Sequence, residues 1–170
     1  IYLALSPFLS ALPPKAMNLR VICLASGSSG NSVLVQADGT SVLVDAGLTA
    51  RTIVAELARL DLQPSQLAGV LLTHEHSDHV GAARTLARRH KVPIVGNEAT
   101  LLGAGVDLAR GEVLATGGVL HLGGLRITSF ALPHDSREPA GFLVECEDWR
   151  ICLATDLGHA PEGIEDYLRQ

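Results

Sequence analysis

From Leu19 onward, short apolar runs alternate with turn signals, and the spacing of the apolar positions changes along the chain. Residues 19–25 predict a strand that stops at Ser26-Gly27-Ser28-Ser29-Gly30-Asn31, a loop needing flexible backbone. Residues 32–36 and 41–44 read as strands joined by a turn at Asp38-Gly39, a favoured hairpin pair. The period then switches: across 49–60, Ile53, Val54, Leu57 and Leu60 fall at helical spacing, and Pro64 closes the segment. Residues 70–73 form a short buried strand. A helix is expected from Asp78 to about His90, with Val80, Ala83, Leu86 and Ala87 inward, followed by a strand at 93–95.

The second half reads as mostly β, with strands at 112–115, 119–122 and 125–130 divided by Gly117-Gly118 and Gly123-Gly124. Residues 142–146 and 149–154 complete a hairpin through Glu147-Asp148. No internal repeat or low-complexity stretch interrupts this order. It fits an α/β (α+β) domain in which helices cover the outer side of a sheet.

The 170 residues suffice for one domain with a real core. With 47% hydrophobic and only 4% aromatic residues, Leu, Val, Ile and Ala must fill that core. A net charge of −5 argues against holding nucleic acid through bulk basicity, though not against a local patch. Cys23, Cys146 and Cys152 form no C-x-x-C pair and suit reduced thiols, hence a cytoplasmic protein. The segment 1–16 is apolar but lacks a charged start and carries Pro7, Pro13 and Pro14, so neither a secretory signal nor a membrane span is expected. Met17 is the expected native start, with 1–16 a non-native or upstream leader and 17–170 the domain.

The chemistry concentrates in Thr73-His74-Glu75-His76-Ser77-Asp78-His79, directly after a buried strand. Several imidazoles this close are hard to satisfy without a metal. In extended chain, residues two apart point the same way, so His74 and His76 can grip one ion. Asp78 and His79 sit where the next helix starts, within reach of a second, and Ser77 is placed to cap that helix. Histidine and carboxylate ligands fit zinc best, and also manganese or iron.

The run H-x-H-x-D-H from His74 to His79 resembles the signature of the metallo-β-lactamase superfamily. Asp45 in Val44-Asp45-Ala46-Gly47 resembles the family's early aspartate, a support for the site. His134 in Pro133-His134-Asp135 resembles the third histidine of metal one, and Asp156 in Ala154-Thr155-Asp156 the carboxylate between the metals. The resemblance implies an αββα sandwich with two divalent ions: His74, His76 and His134 on the first, Asp78 and His79 on the second, Asp156 on both. Asp78 and Asp156 would then carry catalysis. Ser26 to Ser32, Pro133-His134-Asp135, Glu138 to Phe142 and Ala154 to Gly158 are further similar to the YycJ/WalJ-like branch, metal-dependent 5′-to-3′ exonucleases acting on DNA.

In that reading, ions about 3.5–4 Å apart share a water and lower its pKa until it attacks phosphorus. No protein nucleophile is needed, so Ser28, Ser29 and Asn31 belong to a loop shaping the substrate entrance. Asp135 either orients a ligand or is a solvated loop aspartate. Arg84 and Arg88 share a helix face ahead of Arg89, His90 and Lys91. This is either a phosphate-binding patch or, more commonly, a solvated helix end whose cations complement the dipole. No membrane contact or obligatory protein partner is expected.

One departure stands out. The superfamily takes a further histidine from a late loop, but only residues 157–170 follow Asp156, and His159 comes too early, reading instead as an exposed helix start. A truncated second half, a weak second metal and an exposed sheet edge are the expectations. Two rival functions stay open: a fold-sharing hydrolase of an ester, lactone, thioester or β-lactam, and an inactive metal-binding fragment.

Overall fold

The computed structural model describes residues 2–7, with backbone only, together with 19–146 and 149–156. The expected Glu147-Asp148 turn, His159 and the last helix lie outside these residues. Two sheets face each other. One is six-stranded, in the order β2 (Arg20–Ala25), β3 (Ser32–Ala37), β4 (Thr40–Val44), β5 (Gly69–Leu71), β6 (Ile94–Gly96), β7 (Gly111–Val113). The other is five-stranded, in the order β1 (Tyr2–Pro7), β11 (Trp149–Ala154), β10 (Ala140–Cys146), β9 (Leu125–Ala131), β8 (Val119–Leu122).

Alternation along the strands builds the layers. Val33, Val35, Val42 and Val44 point inward to meet Ile127, Phe142, Val144, Ile151 and Leu153 of the other sheet. Their neighbours Leu34 and Leu43, with Val70 and Ile94, pack outward against Ile53, Leu57, Ala83, Leu86 and Leu101 of the helices. Those helices are α1 (Ala50–Arg59), α2 (Ser77–Val80), α3 (Ala83–Thr85) and α4 (Glu98–Gly103). Among the described residues, all four cover the six-stranded sheet. Strands β4 to β7 run parallel, so the loops leaving β4 and β5 emerge at the same end. That end carries Asp45 and the histidine run.

Three expectations change. The helix expected over 78–90 is interrupted: α2 and α3 are separated at Gly81-Ala82, and Leu86–His90 closes as a π-helical turn. The cause is competition for backbone groups. The carbonyl of Asp78 accepts from Asn31 N–H at 2.7 Å and that of His79 from Ala46 N–H at 2.7 Å, while Ala82 N–H donates to Ala46 at 2.8 Å. Ser77 is not the cap, because His76 occupies that position without a side-chain bond. Helix α4 was not expected from the sequence, although Asn97 caps it by accepting from Thr100 N–H at 2.9 Å.

The edge of β11 is occupied too. Tyr2–Pro7, from the stretch the sequence set apart as a leader, pairs with it antiparallel from Tyr2↔Ala154 to Pro7↔Trp149.

Candidate metal centre

The site grows from the ends of β4, β5, β9 and β11. Past β5 the chain stays extended, and the rings of His74 and His76 turn to the same point, with His74 Nε2 3.1 Å from His76 Nδ1. The loop after β9 brings in His134, whose Nε2 lies 3.3 Å from the same His76 nitrogen. Donors about 2.0–2.1 Å from a tetrahedral zinc are themselves separated by about 3.3–3.4 Å. The three nitrogens fit one ion.

A second group forms around His79. Its Nε2 is 2.9 Å from Oδ2 of Asp156 and 3.5 Å from Oδ2 of Asp78. The same Asp156 oxygen is 3.6 Å from His74 Nε2 and 3.9 Å from His134 Nε2, so this carboxylate lies between the two groups. Asp78 sits at the rim of the second group. His74, His79 and Asp156 form its tight part. Both Asp45 and Asp156 adopt positive φ, 61° and 53°, at strand ends. Aspartate tolerates this conformation better than most residues, and it aims both carboxylates into the site.

Beneath the rings lies a closed hydrogen-bond network. Asp45 is wholly buried and accepts from Thr73 N–H and Thr73 Oγ1–H, each at 2.9 Å, and from His79 Nδ1–H at 2.7 Å. His74 Nδ1–H donates to Thr73 Oγ1 at 3.0 Å, and the Thr155 hydroxyl donates to Thr73 at 3.1 Å. In this arrangement every donor finds an acceptor, and both histidines turn their Nε2 lone pairs to the cluster. One carboxylate thereby orients a ring in each group.

Charge supports the same reading. Burial, reinforced by the neighbouring rings of His79, His134 and His76, pushes the His74 pKa down to about 4, so at neutral pH its nitrogen is free to ligate. Burial also opposes charge on His79, but the hydrogen bond and charge of Asp45, then Asp156 and Asp78, outweigh it and raise its pKa. Burial raises Asp45 against the opposing pull of His79 and Thr73. The carboxylates around His79 call for positive charge, and a divalent cation would answer them.

Of the loop residues, Ser28 and Ser29 are exposed. Asn31 is not: it is buried, with Nδ2 3.0 Å from His79 Nε2 and 3.3 Å from Asp78 Oδ2. Its neighbours Gly27 and Ser32 tie the loop down through Gly27 N–H to Asn31 Oδ1 and Ser32 Oγ–H to the Asp45 carbonyl. Asp135 is exposed and has no side-chain partner among the described residues, which fits the solvated alternative. The His134 loop is anchored elsewhere. Glu75 accepts from Arg137 N–H at 3.0 Å, Asn97 Nδ2–H donates to the Glu138 carbonyl at 2.7 Å, and Thr116 Oγ1–H donates to Glu138 Oε1 at 2.7 Å.

Sequence reasoning missed Thr73 and Thr155 as working residues. Their one signal was position, each standing immediately before a candidate ligand, His74 and Asp156.

Two facing sheets with this site at their strand ends define the class. Residues 25–168 match the metallo-beta-lactamase superfamily, and the chain belongs to it. It is similar to Exodeoxyribonuclease YycJ of Bacillus anthracis, 31% identical over 159 residues, covering 90% of this chain and 60% of that one. It is also similar to Exodeoxyribonuclease WalJ of Streptococcus pneumoniae, 35% identical over 149 residues, covering 83% of this chain and 55% of that one. The chain thus spans little more than half the length of these curated relatives.

Among solved structures, a metallo-beta-lactamase from Cronobacter sakazakii superposes with a TM-score of 0.65 at 19% identity, over 88% of this chain and 69% of that one. Rm3 metallo-beta-lactamase does so with 0.61 at 23%, over 71% and 52%. These likenesses show the fold.

Proposed function

We propose that the chain is the metal-binding part of a metal-dependent phosphodiesterase that cuts DNA from an end, with two divalent ions, zinc foremost and manganese or iron as substitutes. The observation that carries this is the convergence of His74, His76 and His134 on one point and of His79 and Asp156 on another beside it. The names of the relatives favour DNA over a small ester. Ions held there supply Lewis acidity toward a phosphoryl oxygen and lower the pKa of a bound water.

The chain's own part is positioning. Asp45 and Thr73 hold His79 and His74 in the ligating tautomer. Asp156 and Asp78 supply the negative charge that retains cations. Glu75, Asn97 and Thr116 fix the His134 loop, and the exposed Ser28-Ser29 turn leaves the mouth open to a strand end. The three cysteines carry no disulfide. Among the described residues no helix is long and apolar enough to cross a membrane.

End-labelled single- and double-stranded DNA, incubated with protein and Zn²⁺ or Mn²⁺, tests the reading. Shortening from an end that chelator abolishes and His76→Ala lacks is the expected result. Intact DNA alongside hydrolysis of a chromogenic β-lactam or a thioester would overturn the choice of substrate.

A further inference from the structure

The helical segment that starts at the metal centre ends in cations that no acid among the described residues pairs. Arg84 and Arg88 lie one turn apart, about 6 Å along the axis. They form one wall of a cavity of about 260 Å³, with Ala87 between them and Val106, Asp107 and Arg110 opposite. A second, open cavity of about 600 Å³ shares Arg84 and Arg88 and adds Arg89. Neither cavity includes a residue of the histidine cluster.

These four arginines are exposed, and none has an ion pair or side-chain hydrogen bond among the described residues. Acids are not scarce: the chain has 18 Asp and Glu against 13 Lys and Arg. The acid lining the first cavity, Asp107, is engaged by its own loop, accepting from Ala109 N–H at 3.0 Å. Neutralising the helix dipole accounts for cations in the last turn. It does not account for Arg110, which comes from another segment. The π-helical turn Leu86–His90 carries Arg88 and Arg89, and such turns are rare and concentrate at functional sites.

We propose that this arginine groove is a phosphate-binding surface, separate from the metal centre, along which a single DNA strand lies. Identifying the polyanion as DNA rests on the function proposed above. The anion site itself rests on the unpaired arginines. A guanidinium fork binds phosphate oxygens two at a time, and the turn-to-turn spacing of Arg84 and Arg88 suits successive phosphates of an extended strand. A strand held along the groove as well as at the metals favours substrates longer than a dinucleotide.

Fluorescence anisotropy of a labelled 20-nucleotide oligothymidine, with EDTA present to prevent cutting, tests this across a salt series. Arg84→Ala/Arg88→Ala is expected to bind at least about tenfold more weakly. Its slope of log affinity against log salt should be shallower by about 1.4, since each phosphate left without its arginine removes about 0.7. Arg110→Ala, on the opposite wall, should weaken binding in the same sense should the double variant fold poorly. Arg51→Ala, an exposed arginine on α1, is expected to match wild type. Groove variants that bind with wild-type affinity and slope overturn the proposal. Cutting of DNA by the wild type with metal is scored separately. Weakened binding in the groove variants with no cutting by wild type retains the groove and removes the nuclease reading. Cutting by wild type with unchanged groove variants does the reverse.

Discussion

Oδ2 of Asp45 lies 2.7 Å from Nδ1 of His79, and both side chains are shut off from solvent. This contact fixes the ring so that Nε2 faces Asp156 and Asp78. Asp45→Asn keeps the shape and removes the charge. Metal affinity at the second position is expected to fall about 10- to 100-fold, read by titration against a competing chelator, and to fall less at the first, which Asp45 reaches only through Thr73. Equal loss of both ions would mean that Asp45 supports the whole cluster through Thr73 and not His79 in particular.

His74 sets a pH signature in the metal-free protein. Its folded pKa is about 4 against an ordinary 6.5. Between those values the unfolded chain binds a proton that the folded chain refuses, so this group makes stability rise with pH. Its contribution is intact above about 6.5 and eroded as pH falls toward about 4. Melting temperatures across that window should slope less in His74→Asn than in wild type. Parallel curves for the two proteins would show that His74 titrates normally in the fold.

Gly47 has no room for a side chain. A Cβ there would stand 1.6 Å from the Asp78 carbonyl oxygen and 2.7 Å from the Asn31 nitrogen, the partners in the bond that breaks the helix after Asp78. Gly47→Ala must therefore separate the Asn31 loop from Asp78. The expected cost is at least about 1–3 kcal/mol, by analogy with overpacked cores, seen in urea denaturation, with loss of bound metal. A variant of wild-type stability and metal content would mean that the loops yield without consequence.

How much of this was readable beforehand depended on the range of the interactions. Strands such as β3 and β4 announce themselves by alternation, and Asp38-Gly39 by its turn chemistry, with φ of 48° and 76°. The His74-to-His79 run was legible because its spacing alone brings the ligands together. What failed was tertiary. Nothing near Asp78 in sequence says that Asn31 and Ala46 will take the backbone bonds a helix needs, or that Asn31 turns inward while Ser28 and Ser29 stay open. Thr73 and Thr155 were invisible for the same reason, because they meet across 82 positions of chain.

Strand β1 leads to the last prediction. Tyr2–Pro7 pairs with all six residues of β11, and this edge would otherwise present unpaired backbone groups. Removing residues 1–7 is expected to produce concentration-dependent self-association, seen by analytical ultracentrifugation. The His74 and His76 side of the metal centre, carried by the other sheet, should bind as before at low concentration, whereas the position that uses Asp156, which follows β11, should weaken. A shortened chain that stays monomeric over a hundredfold range of concentration would show that β11 does not depend on this strand. The apolar stretch 1–16 could then be set apart from the domain, as its composition first suggested.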